Sequence, residues 1–295
     1  MEAITVKELL AAVHGELLQG DETAQILGVN TDSRTVKSGE VFVPLVGERF
    51  DGHDYIEKAI SAGAEGCLCA RVPETLLPGK FYIKVPDTLL ALKDLAAWYR
   101  AQFSIPFVQV TGSVGKTTTK EFVAAVASAA FKTHKTKGNL NNELGLPLTL
   151  LDLSPDDEVS VIEMGMSALG EIEYMTKLVR PDIAIVTNIG TSHLATLGTR
   201  ENICRAKMEI RLGLPEDGKL ILNADEPLLF AQADTLEKKP LFMSIYNRNG
   251  DFRAVNIRQK IDCIVYDLIY ANKAITNVEI PAIGKHNVYN SLAAY

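Results

Sequence analysis

Short apolar runs separated by turn residues fill the first part of the chain. From Val6 to about Val85 they predict short strands mixed with two helices. Val41–Leu45 and Gly66–Ala70 have the composition of strands. Tyr55–Ala62 has the spacing of a helix, and Gly63 supplies its stop signal.

Longer alternating segments follow Pro86. Thr88–Phe103 carries apolar residues at the spacing of an amphipathic helix. From Ile105, strand-length apolar runs alternate with helical patterns. The predicted strands are Phe107–Thr111, Val159–Glu163, Ile183–Asn188 and Lys219–Asn223. The predicted helices run from the glycine turn after the first strand to about Phe131, and over Ile172–Leu178 and Glu201–Leu212. This order predicts a mostly parallel sheet with helices on both faces.

The last part of the chain has a different pattern. Between Leu241 and Pro281, short β-rich runs meet at the turn signals Asn249–Gly250 and Asn272–Lys273, which predicts an antiparallel extension. Asn287–Tyr295 has the pattern of the start of a helix, but no capping glycine or lysine follows it. We therefore expect the sequence to be a piece of a longer protein.

These patterns together predict an α/β protein with two domains. A small N-terminal α/β domain is expected at residues 1–85. A P-loop-type domain with a mostly parallel sheet and an antiparallel β extension is expected at residues 86–295. The length of 295 residues, with 47% hydrophobic and 23% charged residues, is ordinary for a globular protein of this size.

Composition excludes several classes of protein. The net charge of −7 argues against a nucleic-acid partner. No apolar run approaches the roughly 18–20 residues that span a membrane, and the N-terminus lacks the features of a signal peptide. The cysteines, none in metal-binding spacing, are Cys67, Cys69, Cys204 and Cys263. Buried free thiols in the cytoplasm are therefore expected, whereas oligomeric state stays open, with a monomer as the expectation.

Candidate chemistry begins with a glycine loop, Gly112–Thr117, between a buried strand and a helix. Glycines let backbone N–H groups turn toward phosphate oxygens, and the following helix directs its positive end at the anion. Lys116 would reach the terminal phosphates, and the Thr117 hydroxyl would bind magnesium. The spacing between the glycines is two residues shorter than in the common phosphate loop.

Two further strand ends carry side chains that suit a nucleotide site. In an open α/β sheet, ligands bind at the carboxyl ends of strands. Glu163 ends an apolar strand, and a carboxylate there suits magnesium, although a solvated residue is an alternative. His193 follows another strand, in the loop from Asn188, and is either a metal or phosphate ligand or a structural residue.

Other polar positions remain ambiguous from the pattern alone. Lys207 lies on a predicted helix, where spacing favours a surface lysine paired with an acid. The asparagine-rich segment Gly138–Gly145 would either build turns or grip a polar ligand.

In order along the chain, the motifs resemble those of the Mur ligase family, the ATP-dependent peptide ligases of peptidoglycan synthesis. The resemblance spans nearly the whole chain and is carried by several segments. They are Thr31–Arg34, Gly39–Phe42, Asp51–His53, Thr111–Thr118, Gly138–Pro147, Glu163–Gly165, Asn188–His193, Ala206–Lys207 and Gly284–Asn290. The members that add D-alanyl-D-alanine to UDP-N-acetylmuramoyl-tripeptide are the most similar, and their implied cofactors are ATP and Mg²⁺.

The resemblance also implies roles for individual residues. The implied ATP-binding residues are Gly112, Ser113, Val114, Gly115, Lys116, Thr117, Thr118, Asn287 and Asn290, with His286 near the adenosine. The implied metal ligands are Thr117, Glu163 and His193, and the implied catalytic residues are Lys116, Lys207 and His193. Lys207 matches a lysine that family members carbamylate. Ser33 and Arg34 are implied to bind the uridine diphosphate, and Asn139 and Asn142 the phosphates or the acyl group.

One departure and several alternatives accompany this interpretation. The family's third domain, a Rossmann-like C-terminal domain that recruits the amine substrate, is expected to be absent, so we expect binding of ATP and the UDP-sugar peptide with poor ligation. The alternatives are a ligase that adds a diamino acid, a folate-type ligase, a non-catalytic nucleotide-binding module and a generic P-loop ATPase. The Gly-Asn-x-Asn-Asn segment favours the D-alanyl-D-alanine ligase over the first.

Overall fold

The computed structural model describes residues 1–47, 49–271 and 273–295. The predicted turn at Asn272–Lys273 includes Asn272, which lies outside the described residues. The contacts between residues divide the chain into two compact units: residues 1–104 with 147–155, and residues 105–146 with 156–295. The division predicted from sequence into a UDP-sugar domain at 1–85 and an ATP domain at 86–295 assigns functions to these regions and stays a prediction.

The first unit is built on a five-stranded sheet. Its elements up to residue 104 are β1 (Ile4–Thr5), α1 (Val6–Val13), β2 (Glu16–Gln19), β3 (Gln25–Ile26), β4 (Gly28–Asn30), β5 (Glu40–Phe42), a 3₁₀ helix (Gly52–Tyr55), α2 (Ile56–Ser61), β6 (Gly66–Cys69), β7 (Phe81–Lys84) and α3 (Thr88–Arg100). The strand order is β2-β7-β6-β5-β4, and β1 pairs separately with β3. The two helices predicted before Val85 are confirmed.

Side-chain caps explain where two of these helices begin. The Thr5 side chain accepts from the Glu8 N–H while the Glu8 carboxylate accepts from the Thr5 N–H, a capping box that starts α1. The Asp87 carboxylate accepts from the Leu90 N–H and starts α3 directly after Pro86.

The second unit alternates strands and helices. Its elements are β8 (Phe107–Thr111), α4 (Lys116–Ala127), β9 (Thr133–Lys135), α5 (Gly145–Leu151, which continues into residues of the first unit), β10 (Val159–Glu163), α6 (Glu171–Val179), β11 (Ile183–Val186), α7 (Leu194–Leu197), α8 (Arg200–Met208), a 3₁₀ helix (Glu209–Gly213), β12 (Lys219–Asn223), α9 (Pro227–Phe230), a 3₁₀ helix (Ala231–Asp234), β13 (Leu241–Ser244), β14 (Phe252–Gln259), β15 (Ile264–Tyr270), β16 (Lys273–Ile280) and α10 (His286–Ala294).

These strands form one sheet in the order β16-β15-β14-β13-β12-β11-β8-β10-β9. Neighbours from β9 to β14 are parallel, and β14, β15 and β16 are antiparallel. The predicted mostly parallel sheet with an antiparallel extension is therefore confirmed. Buried apolar residues of β8 and its neighbours pack with α4 and α10 in one core that includes Val110, Val161, Ile185, Val123 and Val288.

Pairing at the Asn249–Gly250 turn signal differs from the prediction. We expected antiparallel strands there, but β13 and β14 are parallel. The residues between them fold back along the sheet, because the Asp225 carboxylate accepts from the N–H groups of Ile245 and Asn247 and the Asp251 carboxylate accepts from Phe242 N–H. The antiparallel part begins only at β14.

Some helices and strands differ in length from their predictions. The helix predicted at Glu201–Leu212 is α-helical only to Met208 and continues as a 3₁₀ helix. The helix expected to reach Phe131 ends at Ala127, and the strand expected to reach Asn188 ends at Val186. Among the described helices, none is both long enough and apolar enough to cross a membrane.

Candidate active site

Three adjacent parallel strands bring the predicted site residues to one edge of the sheet. β8 lies between β10 and β11. Glu163, the last residue of β10, is level with Val110, and Val186, the last residue of β11, is level with Thr111. The glycine loop after β8, Glu163 and the loop that carries His193 therefore all follow carboxyl ends at the same edge, where α/β sheets bind ligands.

Two glycines give the loop between β8 and α4 its shape. Gly112 has φ of 154°, and a Cβ there would lie 1.9 Å from Thr187 Oγ1. Gly115 has φ of 81° and precedes the first residue of α4. Both conformations favour glycine, so these positions bring the loop close to the next strand and turn it into the helix.

Hydrogen bonds fix this loop against the chain that leaves β11. The N–H groups of Ser113 and Val114 donate to the carbonyl and side-chain oxygens of Asn188, at 3.1 and 3.0 Å. The Thr187 hydroxyl donates to the Val114 carbonyl at 2.8 Å. Two loop amides are thus already paired, and the N–H groups of the first turn of α4, which have no partner within the helix, remain for an anion.

Polar side chains line the start of α4. The Lys116 ammonium donates to the Gly112 carbonyl at 3.0 Å. Burial lowers the pKa of Lys116, and the nearby Glu163 carboxylate opposes that shift. Thr117 and Thr118 are exposed. The Ser113 hydroxyl is buried and has no hydrogen-bond partner among the described residues, as expected of a group that awaits a polar ligand.

Glu163 is a buried acid at this edge, and its surroundings hold it in place. It is 1% exposed, and its Oε1 accepts from Asn141 Nδ2 at 2.8 Å. Its N–H donates to the Thr136 hydroxyl at 3.0 Å. The other oxygen, Oε2, is buried and has no hydrogen-bond partner in the described part of the chain. A buried carboxylate oxygen is costly without a partner, so this atom fits a cation.

His193 occupies a different environment. It is exposed and has φ of 66°, and it precedes the short helix α7. The hydroxyl of its neighbour Ser192 donates to the Ser113 carbonyl at 3.4 Å, which ties this loop to the phosphate loop. Within the described ranges, no group of three or more His, Cys, Asp or Glu side chains is arranged to hold a metal ion. A metal here would need hydroxyl or nucleotide oxygens as well, as is usual for Mg²⁺.

Lys207 is not the surface lysine that its spacing favoured. It lies on α8, is 1% exposed and forms no hydrogen bond or ion pair with the described residues. Burial, with a smaller contribution from the Lys116 charge, lowers the pKa of Lys207 to about 8. The surface expectation was wrong because α8 turns this position, with Ala206 and Met208, into the protein interior.

α10 joins the phosphate loop through the predicted adenosine residues. Asn290 is buried, and its Oδ1 accepts from the Thr119 hydroxyl of α4 at 2.8 Å. Its Nδ2 donates to Asn287 Oδ1 at 2.9 Å. His286, the first residue of α10, is exposed. Asn290 and Asn287 therefore form a polar row that begins beside the first turns of α4.

The asparagine segment between β9 and α5 contains a residue that the sequence analysis did not single out. Asn139 is exposed, and the Asn142 side-chain oxygen accepts from the N–H groups of Leu144 and Gly145. Asn141, between them, holds Glu163. The motif contained all three asparagines, but spacing alone does not tell which side chain faces the strand end.

A separate cavity of about 380 Å³ lies in the first unit at the two predicted uridine-diphosphate residues. It is lined by Thr31, Asp32, Ser33, Arg34, Phe42, Phe50, Gly52, Tyr55 and Lys58. The Arg34 guanidinium pairs with the Asp32 carboxylate at 2.7 Å, and this hydrogen bond lowers the pKa of Asp32 to about 2. Among the residues that line this cavity, the sequence analysis named Ser33 and Arg34 as candidate binding residues, but it did not name Phe50, Tyr55 or Lys58 as such.

Comparison with known proteins gives matches over both units. Residues 110–295 match the family model of the Mur ligase middle domain, and residues 25–100 match that of the Mur ligase family, catalytic domain. A relative from Bacillus subtilis (strain 168), UDP-N-acetylmuramoyl-tripeptide–D-alanyl-D-alanine ligase, is 42% identical over 292 residues, which are 98% of this chain and 62% of the relative.

Two solved structures are also similar. A crystal structure of MurF from Acinetobacter baumannii has a TM-score of 0.92 at 34% identity, and the match covers 100% of this chain and 64% of the Acinetobacter chain. MurF ligase from Thermotoga maritima in complex with ADP has a TM-score of 0.80 at 31% identity, and the match covers 90% of this chain and 61% of the Thermotoga chain. The chain thus spans less than two thirds of the length of these relatives. By its family-model matches and its identity to these relatives, the chain belongs to the Mur ligase family.

Proposed function

We propose that this chain is the nucleotide- and UDP-sugar-binding part of an ATP-dependent ligase that adds D-alanyl-D-alanine to UDP-N-acetylmuramoyl-tripeptide. The curated relatives from Bacillus subtilis and Escherichia coli carry that activity in their names, at 42% and 39% identity. Their names favour this substrate over a single diamino acid. We propose a cytoplasmic location, because ATP is available there and the four cysteines are unpaired.

The observation that carries this proposal is the phosphate loop beside Glu163. The loop offers the first N–H groups of α4, the Lys116 ammonium and the unpartnered Ser113 hydroxyl to an anion. Glu163 offers a buried oxygen without a partner at the neighbouring strand end. A nucleotide with its cation supplies both the anion and the cation that these groups lack.

Magnesium is the cation we propose for this place. Glu163 Oε2 fits it as a hard oxygen ligand, and Thr117 and His193 are the further candidates. When bound, Mg²⁺ neutralises phosphate charge that builds up during transfer. A degenerate, non-catalytic module is disfavoured because Lys116, Thr117, Glu163, His193 and Lys207 are all present.

The reaction then proceeds by two displacements. The terminal carboxylate of the tripeptide attacks the γ-phosphorus of ATP, the bond to the β,γ-bridging oxygen breaks, and ADP leaves with its electron pair. The amine of D-alanyl-D-alanine attacks the acyl carbon, loses a proton and displaces inorganic phosphate. Lys116 and the α4 amides hold and neutralise the phosphate oxygens, which is the main contribution that a protein makes to phosphoryl transfer.

Lys207 has the properties needed for carbamylation. Its lowered pKa leaves part of the amine uncharged near neutral pH, and only the uncharged amine attacks CO₂. The product is a carbamate with one negative charge, and one proton is released. A negative group also suits this place better than a second ammonium, because the Lys116 cation is near.

The remaining substrate parts are assigned by the surroundings of the predicted residues. We propose that the cavity at Ser33 and Arg34 receives the uridine diphosphate, with the Arg34 and Lys58 cations available to its phosphates. Asn287 and Asn290 are proposed to face the adenosine, next to the phosphate loop. Asn139 is exposed and available to the acyl group, whereas the Asn142 side-chain oxygen already accepts a hydrogen bond within its own turn.

Calorimetric titration with ADP and Mg²⁺ tests the nucleotide site. We expect binding by the wild-type chain and a loss of at least tenfold in Lys116→Ala, since a charge-assisted contact is worth about 1.5–3 kcal/mol. Lys260→Ala removes a lysine whose ion pair with Glu279 lies on the β15–β16 side of the sheet, and it is the matched control. Equal affinity of the wild-type and Lys116→Ala proteins would contradict the proposal.

A further inference from the structure

We infer that Asn141 is the positioning residue of the metal site, because it assigns different tasks to the two oxygens of Glu163. Asn141 Nδ2 occupies Oε1 at 2.8 Å, so Oε2 alone is left for the cation. This inference rests on the proposed function, since it presumes that a divalent cation accompanies the nucleotide.

The orientation of the Asn141 amide follows from charge. An ionised carboxylate accepts hydrogen bonds and cannot donate them. Turning the amide over would place its oxygen against the Glu163 carboxylate, so the NH₂ group must face Glu163. An NH₂ donor repels a metal ion. The side of Glu163 that contacts Asn141 is therefore closed to the cation, which leaves Oε2, the buried oxygen without a hydrogen-bond partner among the described residues.

Backbone contacts keep both partners in register. The Gly165 N–H donates to the Asn141 carbonyl at 2.7 Å, and the Glu163 N–H donates to the Thr136 hydroxyl at 3.0 Å. The Thr136 carbonyl accepts from Lys120 Nζ at 2.8 Å. The asparagine segment and the end of β9 thus hold Glu163 from two sides, through side chain and main chain.

Burial makes this arrangement directional. Glu163 is 1% exposed, so water does not compete for Oε2, and a carboxylate free to rotate would lose entropy on binding the cation. With Oε1 held, Oε2 is oriented before the cation arrives. Partners that orient a metal ligand in this way typically change metal affinity by about 10–100-fold when removed.

Titration with Mn²⁺ in the presence of ADP, followed by electron paramagnetic resonance, tests this role. Asn141→Leu keeps a similar volume and the main-chain bond to Gly165 but removes the donor. We expect its Mn²⁺ affinity to fall about tenfold, with an unchanged affinity for ADP in EDTA. Asn141→Ala should give the same split. In a Glu163→Gln background, Asn141→Leu should lower the remaining Mn²⁺ affinity by less than twofold, because no carboxylate remains to be oriented.

The matched control is Asn256, whose Nδ2 donates to the Asp267 carboxylate at 2.7 Å on the β14–β15 hairpin. Its φ is 52°, so Asn256→Gly removes the same kind of bond without backbone strain and should leave Mn²⁺ affinity unchanged. Wild-type Mn²⁺ affinity in Asn141→Leu and Asn141→Ala, or an equal loss in the Glu163→Gln background, would overturn the inference alone. A wild-type protein that takes up no Mn²⁺ with ADP would overturn the proposed function as well.

Discussion

Lys207 is a buried lysine that forms no ion pair with an acid in the described part of the chain. Lys207 is 1% exposed, and its pKa is lowered to about 8 from the ordinary lysine value of 10.5, because burial and the Lys116 charge disfavour the ammonium. The folded state therefore binds fewer protons than the unfolded state between about pH 8 and 10.5. Lys207 destabilises the fold below pH 8, and this cost is relieved as pH rises through that window.

The first prediction is that stability rises with pH because of Lys207. In CO₂-free buffer, the free energy of unfolding of the wild type should gain on the order of 2 kcal/mol from pH 7 to pH 9.5 relative to Lys207→Met, which has no titrating group at this position. Urea unfolding of both proteins at the two pH values measures it. Parallel pH profiles of the two proteins would show that Lys207 titrates normally.

Carbamylation of Lys207 is a second consequence of its environment. Incubation with ¹³C-bicarbonate at pH 8 should give a carbamate carbon signal in the wild-type NMR spectrum that Lys207→Met lacks. The signal should weaken as pH falls toward 6, because protonation removes the nucleophile. A signal of equal size in both proteins would assign the modification to another amine.

Gly112 provides a third prediction at the residue scale. Gly112→Ala places a Cβ 1.9 Å from Thr187 Oγ1 and forces a side chain into φ of 154°. We expect a loss of at least about 1–2 kcal/mol of stability from backbone strain and a weaker affinity for ADP, since the Thr187 bond to Val114 must break. Gly79→Ala is the control, with φ of 75° and no atom within 4 Å of the added Cβ. Wild-type ADP affinity in Gly112→Ala would count against the loop assignment.

Residue identities could be predicted where a motif fixes the backbone, but their surroundings could not. The glycine loop required a strand before it and a helix after it, and both are present. Lys207 is different, because its burial depends on which face of α8 packs inward. In this nine-residue helix, polar and apolar residues are too mixed to predict that face from the sequence. For the same reason, Asn141 was indistinguishable from its neighbouring asparagines.

At the element scale, Asp225 connects several elements at the edge of the sheet where the parallel strands end. Its carboxylate follows β12 and accepts from the N–H groups of Ile245 and Asn247, at 2.6 and 2.7 Å. The Tyr289 hydroxyl of α10 donates to it at 2.7 Å, and burial together with this carboxylate raises the pKa of Tyr289. One acid thus links the end of β12, the loop after β13 and the helix that carries Asn287 and Asn290.

Removal of this acid is the fourth prediction. Asp225→Ala leaves four donors without their acceptor: the N–H groups of Ile245, Tyr246 and Asn247 and the Tyr289 hydroxyl. We expect a loss of at least about 3 kcal/mol in the free energy of unfolding, since bonds to charged groups are worth about 1.5–3 kcal/mol each and water replaces some of them. Urea unfolding measures it. Asp262→Ala, at an exposed position, should stay within about 0.5 kcal/mol. If both variants unfold at the same urea concentration, Asp225 has no such linking role.

Strands and helices of the second unit were predictable because burial on both faces gives a parallel strand a continuous apolar run. β8 and β10 are buried at every position and were predicted residue for residue. The pairing of β13 with β14 was not predictable from the Asn249–Gly250 pair. It depends on hydrogen bonds that the Asp225 and Asp251 carboxylates accept from β13 and the loop after it, and Asp225 lies far from these residues in the sequence.

At the scale of the whole molecule, the two units carry different parts of the proposed chemistry. The first contains the cavity at Ser33 and Arg34, and the second contains the phosphate loop and Glu163. Binding of each ligand uses side chains of one unit, whereas amide formation also requires the amine substrate. The relatives devote about 36–38% of their length to residues outside this match, as follows from coverage of 64% and 62%.

The fifth prediction concerns a polypeptide of these 295 residues alone. We expect it to bind Mg²⁺·ADP and UDP-N-acetylmuramoyl-tripeptide, each with a rise in melting temperature, because ligands that bind only the folded state stabilise it by about 2.7 kcal/mol at one hundred times Kd. With ATP and D-alanyl-D-alanine added, ligation should be slow, because none of the groups assigned to ligands here is left to hold the amine. Phosphate release and mass spectrometry of the product measure this. A ligation rate equal to that of the full-length Bacillus subtilis relative would show instead that these residues hold the amine substrate themselves.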